Sequence, residues 1–140
     1  HEAIDVGVYG TDTFVKFPSV AERAAYVLQQ GDADLAVLCC GSGTGMSLAA
    51  NKFHDVCAVS CESPLAAEFA RKVNDANCLC MGQSLVAVDV AKRMVEVFLR
   101  ARFQDVPGIP QEVLNFWDEA ADEIIADGDT AADVEMETLD

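Results

Sequence analysis

The run from Ala33 to Cys40, "ADLAVLCC", is apolar at almost every position and ends against "GSGTG", three glycines within five residues. A run that short and that continuous predicts a strand buried on both faces. The segment behind the glycines, "GMSLAANKF", reads as a helix that starts near Thr44 or Gly45. Strand, glycine turn and helix together form half of a βα unit, and such units assemble as parallel sheets covered by helices.

The same alternation recurs along the chain. "AIDVGVYG" (Ala3 to Gly10) predicts a strand ended by a polar turn. Pro18 opens a helix running from Ser19 to about Gln30, with Val20, Ala24, Val27 and Leu28 on one side and Gly31 as its stop. "VCAVSC" (Val56 to Cys61) is a third strand, followed by Ser63 as N-cap and Pro64 at the first helical position. "NCLCMG" is a fourth strand. A long helix from about Val86 to Phe103 follows, with Val90, Met94, Val97 and Phe98 at helical spacing. Four alternations predict an α/β layered fold with a parallel sheet. Beyond Phe103, "QDVPGIP" breaks the pattern, and "QEVLNFWDEAADEII" predicts a further helix. Its stripe of Val113, Leu114, Trp117 and Ile124 needs a docking surface, on its own domain or on a partner subunit. The expected organisation is an α/β domain over 1–103, a helical extension over 104–126 and an acidic, solvated tail over 127–140.

Composition narrows the function classes. With 140 residues, 51% of them hydrophobic, the chain has enough apolar material for one cored domain. The formal charge of −15, with nine Lys and Arg, argues against nucleic acid and against anionic membranes. No long apolar span or secretion signal is visible. The six cysteines (Cys39, Cys40, Cys57, Cys61, Cys78 and Cys80) all lie in or beside strand-like runs, where small buried hydrophobes are the usual role. A reduced, cytoplasmic setting is expected. No metal is expected, since Cys-x-x-Cys is absent and the Cys78-x-Cys80 pair is read as pointing to opposite faces of its strand.

The glycine turn carries the chemistry. In open α/β sheets, ligands sit beyond the carboxyl ends of strands, and Cys40 ends its strand there. Gly41, Ser42, Gly43, Thr44 and Gly45 let backbone N–H groups converge beside a helix N-terminus. Such a nest binds a phosphate or a developing oxyanion. The same field lowers a thiol's pKa, which would make Cys40 a general base or a nucleophile. The plainer alternative is a structural turn beside an inert cysteine. The P-loop pattern fails, because no Gly-Lys-Ser/Thr follows, and "GSGTGM" matches the dinucleotide fingerprint only loosely. A redox pair of Cys39 and Cys40 is disfavoured, since adjacent strand residues face opposite sides.

Together, "CCGSGTGMSLAANKF", "AVSCESPLAAEFARKVNDANCLCMG" and "HEAIDVGVYG" resemble the ribose-5-phosphate isomerase B family, which also holds the galactose-6-phosphate isomerase subunits. The resemblance covers roughly His1 to Phe103. It implies a Rossmann-like three-layer α/β/α domain and a homodimer or higher homo-oligomer with shared sites. It also implies aldose–ketose interconversion of a small sugar or sugar phosphate through an enediolate, without metal or organic cofactor. By this resemblance Cys40 is the general base. The turn Gly41 to Gly45 holds the enediolate oxygen, with Ser42 where threonine is usual, and Asn74 contacts substrate. Met46 stands where another branch of the family has a glutamate base.

The chain also departs from that pattern. Val73 stands where the family has a ring-opening histidine, and Ser84 where it has an arginine; "FQDVPGIPQEVLNFW" carries none of the late phosphate-gripping arginines. The family's opening strand with its Asp-His pair is absent, so an upstream segment of about thirty residues is expected by typical element lengths. These departures keep a second reading open, a non-catalytic sugar-binding or regulatory subunit. Among other polar residues, His54 reads as a loop histidine, Arg71 and Lys72 as helix-end cations or substitutes for the phosphate grip, and Lys52 as a helix-end cation. Glu62 and Asp75 are candidates for a sugar hydroxyl, with Asp75 more naturally a cap or turn.

Overall fold

The computed structural model describes residues 1–10, 12 and 14–129. Helix α1 (Phe17–Gln29), β1 (Ala36–Cys40), α2 (Thr44–Ala50), β2 (Ala58–Ser60), α3 (Pro64–Asn74), β3 (Cys78–Gly82), α4 (Val88–Arg100) and α5 (Gln111–Asp129) follow in order. The strands pair in parallel in the order β1-β3-β2, with Cys40 opposite Gly82 at the carboxyl end. Two apolar layers cover the two faces of the sheet. Val20, Ala21, Ala24 and Ala25 of α1 and Met46 and Ala50 of α2 pack with Leu38, Cys78 and Cys80. Ala67 and Ala70 of α3 and Met94 and Phe98 of α4 pack with Leu79 and Met81. This is the three-layer α/β/α sandwich that the alternation predicts.

Three expectations need correction. The segment "AIDVGVYG" forms no strand. A strand exists only in a ladder, and these residues instead border a cavity of about 640 Å³ together with β1. Its backbone is held by side chains, with Arg23 donating to the carbonyls of Val6 and Gly7, each at 3.4 Å, and the Asp5 carboxylate accepting from the Gly7 amide at 2.8 Å. Second, β1 is not buried on both faces. It lies at the edge of the sheet, and Val37 and Cys39 are exposed while Leu38 is buried. The fully buried strand is β3, in the middle, whose five residues are all buried. Third, Cys78 and Cys80 share a face. The side-chain period of a strand is two, so residues i and i+2 point the same way, and the two sulfurs lie 4.0 Å apart.

The helix starts follow local chemistry. Ser63 caps α3 by accepting the Ala66 amide at 3.2 Å, and Pro64 takes the first helical position. Asp75 ends that helix in the left-handed region at φ 50°, which makes it a cap rather than a free ligand. Helix α5 packs on α3. Val113, Leu114 and Trp117 are half-buried as expected, but Ile124 is exposed and Ile125 turns inward. The helix runs to Asp129 rather than ending at 126, and residues 130–140 of the expected tail lie outside the described residues. Among the described residues no helix is long and apolar enough to cross a membrane.

Two asparagines secure the short strand β2. The Asn51 side chain donates to the Ala58 carbonyl at 2.8 Å and accepts the Ala58 amide at 2.7 Å. Asn77 accepts the Cys57 amide at 2.9 Å and donates to the Asp55 carbonyl at 2.7 Å. Side-chain amides thus take backbone groups that no neighbouring strand satisfies. Asn51→Leu should remove both bonds and strand the partly buried Ala58 amide, while the Ala58 carbonyl keeps the Ser47 hydroxyl at 3.1 Å. The expected loss is about 1–3 kcal/mol of unfolding free energy, measured by denaturant titration.

Candidate active site

Cys40 is the last residue of β1, and Gly43 is the N-cap of α2 in the left-handed region at φ 81°. The turn between them folds over the end of the neighbouring strand β3. A Cβ on Gly43 would lie 2.7 Å from the Met81 carbonyl carbon, and one on Gly82 would lie 2.4 Å from the carbonyl carbon of Ser42. Only glycine at both positions permits this approach. Main-chain bonds lock the two strand ends together: Gln83 donates to the Cys40 carbonyl at 2.9 Å and Ser84 to the Gly41 carbonyl at 3.0 Å.

The result is a ring of amides around one sulfur. The Gly43 amide donates to Cys40 Sγ at 3.1 Å. Burial alone would raise the Cys40 pKa, but hydrogen bonds from the amides of Met46, Gly43, Ser42 and Gly45 outweigh it, and the thiol titrates below its ordinary value. Other cysteines move the opposite way. Burial pushes Cys61 up to about 11, burial together with nearby charge raises Cys39 and Cys57, and the Cys78 hydrogen bond, with burial, raises Cys80. The sulfur is neither sealed in nor fully open. Cys40 is partly exposed and borders the 640 Å³ cavity with Phe17, Val20, Leu38 and Met46.

The turn is used selectively. Ser42, Gly43 and Gly45 contribute amides, as does Met46, which the sequence reading treated only as a lost glutamate. Gly41 and Thr44 serve otherwise. The Gly41 carbonyl ties the turn to Ser84, and the Thr44 hydroxyl meets Ser42 Oγ at 2.7 Å. Sequence reasoning also missed Phe17, whose ring packs on Gly45. Its signal was faint, an aromatic immediately before a helix-opening proline.

Asn74 is not brought to this site within one chain. It ends α3 and borders a separate cleft of about 260 Å³ with Asp34, Leu35 and Cys57, residues that precede β1 and β2. That cleft lies at the amino end of the sheet, whereas Cys40 lies at the carboxyl end. The five residues of β1 put the two ends roughly 13 Å apart. Val73 adjoins Asn74 there. Arg71 is committed locally, paired with Asp75 and donating to the Ala76 carbonyl at 3.0 Å, and Lys72 pairs with Glu68 at 2.7 Å. Both therefore behave as helix-end cations. His54 pairs with Asp55 at 2.9 Å on the surface.

Comparison with known proteins fixes the lineage. The model of a family described as Ribose/Galactose Isomerase matches residues 1–111. The chain belongs to that family. It is 36% identical over 103 residues to ribose-5-phosphate isomerase B of Escherichia coli, covering 74% of this chain and 68% of that protein. It is 40% identical over 105 residues to a 4-deoxy-4-sulfo-D-erythrose isomerase of a Clostridium species, covering 75% of this chain and 66% of the relative. The chain thus spans about two thirds of the length of these curated relatives. Among solved structures, ribose-5-phosphate isomerase B of Clostridium thermocellum superposes with a TM-score of 0.82 at 29% identity, covering 94% of this chain and 82% of that one.

The amide ring has a readout that needs no substrate. Of the two adjacent cysteines, burial raises the Cys39 thiol while the amides of the turn lower that of Cys40. Iodoacetamide at neutral pH should therefore label Cys40 first, as mapped by peptide mass, with a rate that rises through a pH below the ordinary thiol range. Gly43→Ala, which pushes the turn off Met81, should erase that preference.

Proposed function

We propose that this protein is an aldose–ketose isomerase for a small sugar or sugar phosphate, with Cys40 as the general base. The observation that carries this reading is the Gly43 amide donating at 3.1 Å to the sulfur of a partly exposed cysteine at a cavity wall, in a turn whose neighbouring amides hold that thiol below its ordinary pKa. Desolvated thiols ordinarily resist ionisation; this one is held as a ready base. Names of relatives support the substrate class, since one acts on ribose 5-phosphate and another on a sulfonated tetrose.

The chemistry follows the charge. In the resting site the amides stabilise a thiolate. When the thiolate takes a proton from the carbon beside the carbonyl, negative charge leaves sulfur and appears on the enediolate oxygen. The same donors follow it, because a neutral thiol no longer needs them. Ser42, Gly43 and Gly45 therefore serve both ends of the transfer. Gly41 and Thr44 shape the turn, and Met46 supplies an amide rather than a carboxylate. The reaction so written is complete without metal or cofactor.

Asn74 enters this scheme only from a second copy. Within one chain it faces the amino end of the sheet, so its contact with sugar requires a homodimer or higher homo-oligomer whose sites are shared.

Cys40→Ala should lower turnover by roughly 10²–10⁴-fold, the usual contribution of a positioned base, while circular dichroism stays unchanged. The assay is interconversion of D-ribose 5-phosphate and of 4-deoxy-4-sulfo-D-erythrose with their ketoses, followed by NMR. Turnover that survives the substitution would remove Cys40 from the mechanism.

A further inference from the structure

Phe17 is the first residue of α1 and is followed by Pro18, which fixes the direction in which the helix leaves it. The core contact of α1 is made by Val20, Ala21, Ala24 and Ala25, so the fold does not need the Phe17 ring for burial. The ring is 46% exposed. It nevertheless has a defined seat. A Cβ on Gly45 would meet its Cε2 and Cζ at 3.2 Å, so ring and glycine are in close contact. The Gly45 amide is among those that lower the Cys40 pKa, next to the Gly43 amide that donates to its sulfur at 3.1 Å, and Phe17 borders the same cavity as Cys40, beside Val15, Val20 and Met46. An open aromatic plate therefore stands against the glycine turn, the one aromatic ring among the described residues of a lining that is mostly aliphatic and also holds Asp5. Phenylalanine has no donor or acceptor to offer a ligand, so its contribution there is shape and exclusion of water.

We propose that the Phe17 ring closes the substrate over the glycine turn and shields the proton carried by Cys40 from solvent. This rests on the isomerase reading. In the aldose-to-ketose direction the thiolate takes the C2 proton and becomes a thiol. The C2–H electron pair forms the C1=C2 bond, and O1 takes the negative charge. The hydroxyl proton then passes from O2 to O1. The S–H proton goes to C1 as the C2=O2 bond forms, and sulfur is a thiolate again. Between the two carbon steps the proton rides on sulfur, and any water that reaches it exchanges it. A C–H edge of the open-chain sugar lies against the ring while its oxygens face the amides, so the plate and the turn hold opposite sides of one ligand.

The readout is the share of turnovers that incorporate solvent hydrogen. Conversion of D-ribose 5-phosphate and of 4-deoxy-4-sulfo-D-erythrose is run in D2O, and carbon-bound deuterium per product is measured by NMR for wild type, F17A, F17L and F17Y. The wild type should retain part of the original hydrogen. F17A and F17L should raise deuterium incorporation per turnover severalfold, and F17Y, which restores the plate, should return it to the wild-type value. A general loss of rate would not move this ratio, since it is counted per product formed. If F17A does not fold, F17L and F17Y carry the comparison alone. An active wild type whose incorporation is already complete, or is unchanged by F17L, overturns the shielding role and leaves the isomerase reading intact. A wild type that neither converts nor exchanges either sugar overturns the isomerase reading itself, and the role of Phe17 with it.

Discussion

Backbone packed directly on backbone is the constraint from which the site follows. The turn after β1 folds over the end of β3 at a separation that excludes any side chain at Gly43 and Gly82. Bonds from Gln83 and Ser84 hold it there. Once the turn is pinned, α2 begins with its free amides at a fixed point, and that point is occupied by the Cys40 sulfur. A single methyl group at either glycine would displace the donors by more than a hydrogen bond tolerates. The reactivity of the thiol is thus set by two residues with no side chain.

The balance at Cys40 is instructive because burial and hydrogen bonding oppose each other. Burial raises thiols elsewhere in the sheet, up to about 11 at Cys61. Cys40 is less deeply buried, and the amides of the turn outweigh the burial that remains, so it titrates low. A cysteine one residue earlier, at position 39, points to the other face and gains none of those donors. It is pushed up by burial and by the charges of Cys80 and Cys40. Two adjacent thiols of identical chemistry are thereby made unequal by strand alternation, which sets one towards the turn amides and leaves the other with the larger burial penalty.

Much of this was legible from local signals. Ser63 and Pro64 announce α3, the spacing of Val90, Met94 and Phe98 announces the buried face of α4, and the glycines from Gly41 to Gly45 announce the turn before α2. The errors share one cause. "AIDVGVYG" has the alternation of a strand but no ladder partner among the described residues, and pattern does not report partners. "ADLAVLCC" is as apolar as a central strand yet lies at the edge, while "NCLCMG" takes the centre. Asn51 and Asn77, ordinary in sequence, turn out to tie down backbone groups of β2 and of the residues before it.

The sequence by itself determined the layered α/β architecture, the position of the glycine turn and the thiol at its mouth. These depend on periodicity and on backbone freedom, which are local properties. Only the tertiary structure decided which amides reach the sulfur, that Phe17 stands beside them, and that Asn74 lies at the far end of the sheet. Those are distances between segments remote in the chain. They are set by how β1, β3 and α1 pack, and no short stretch of residues encodes them alone.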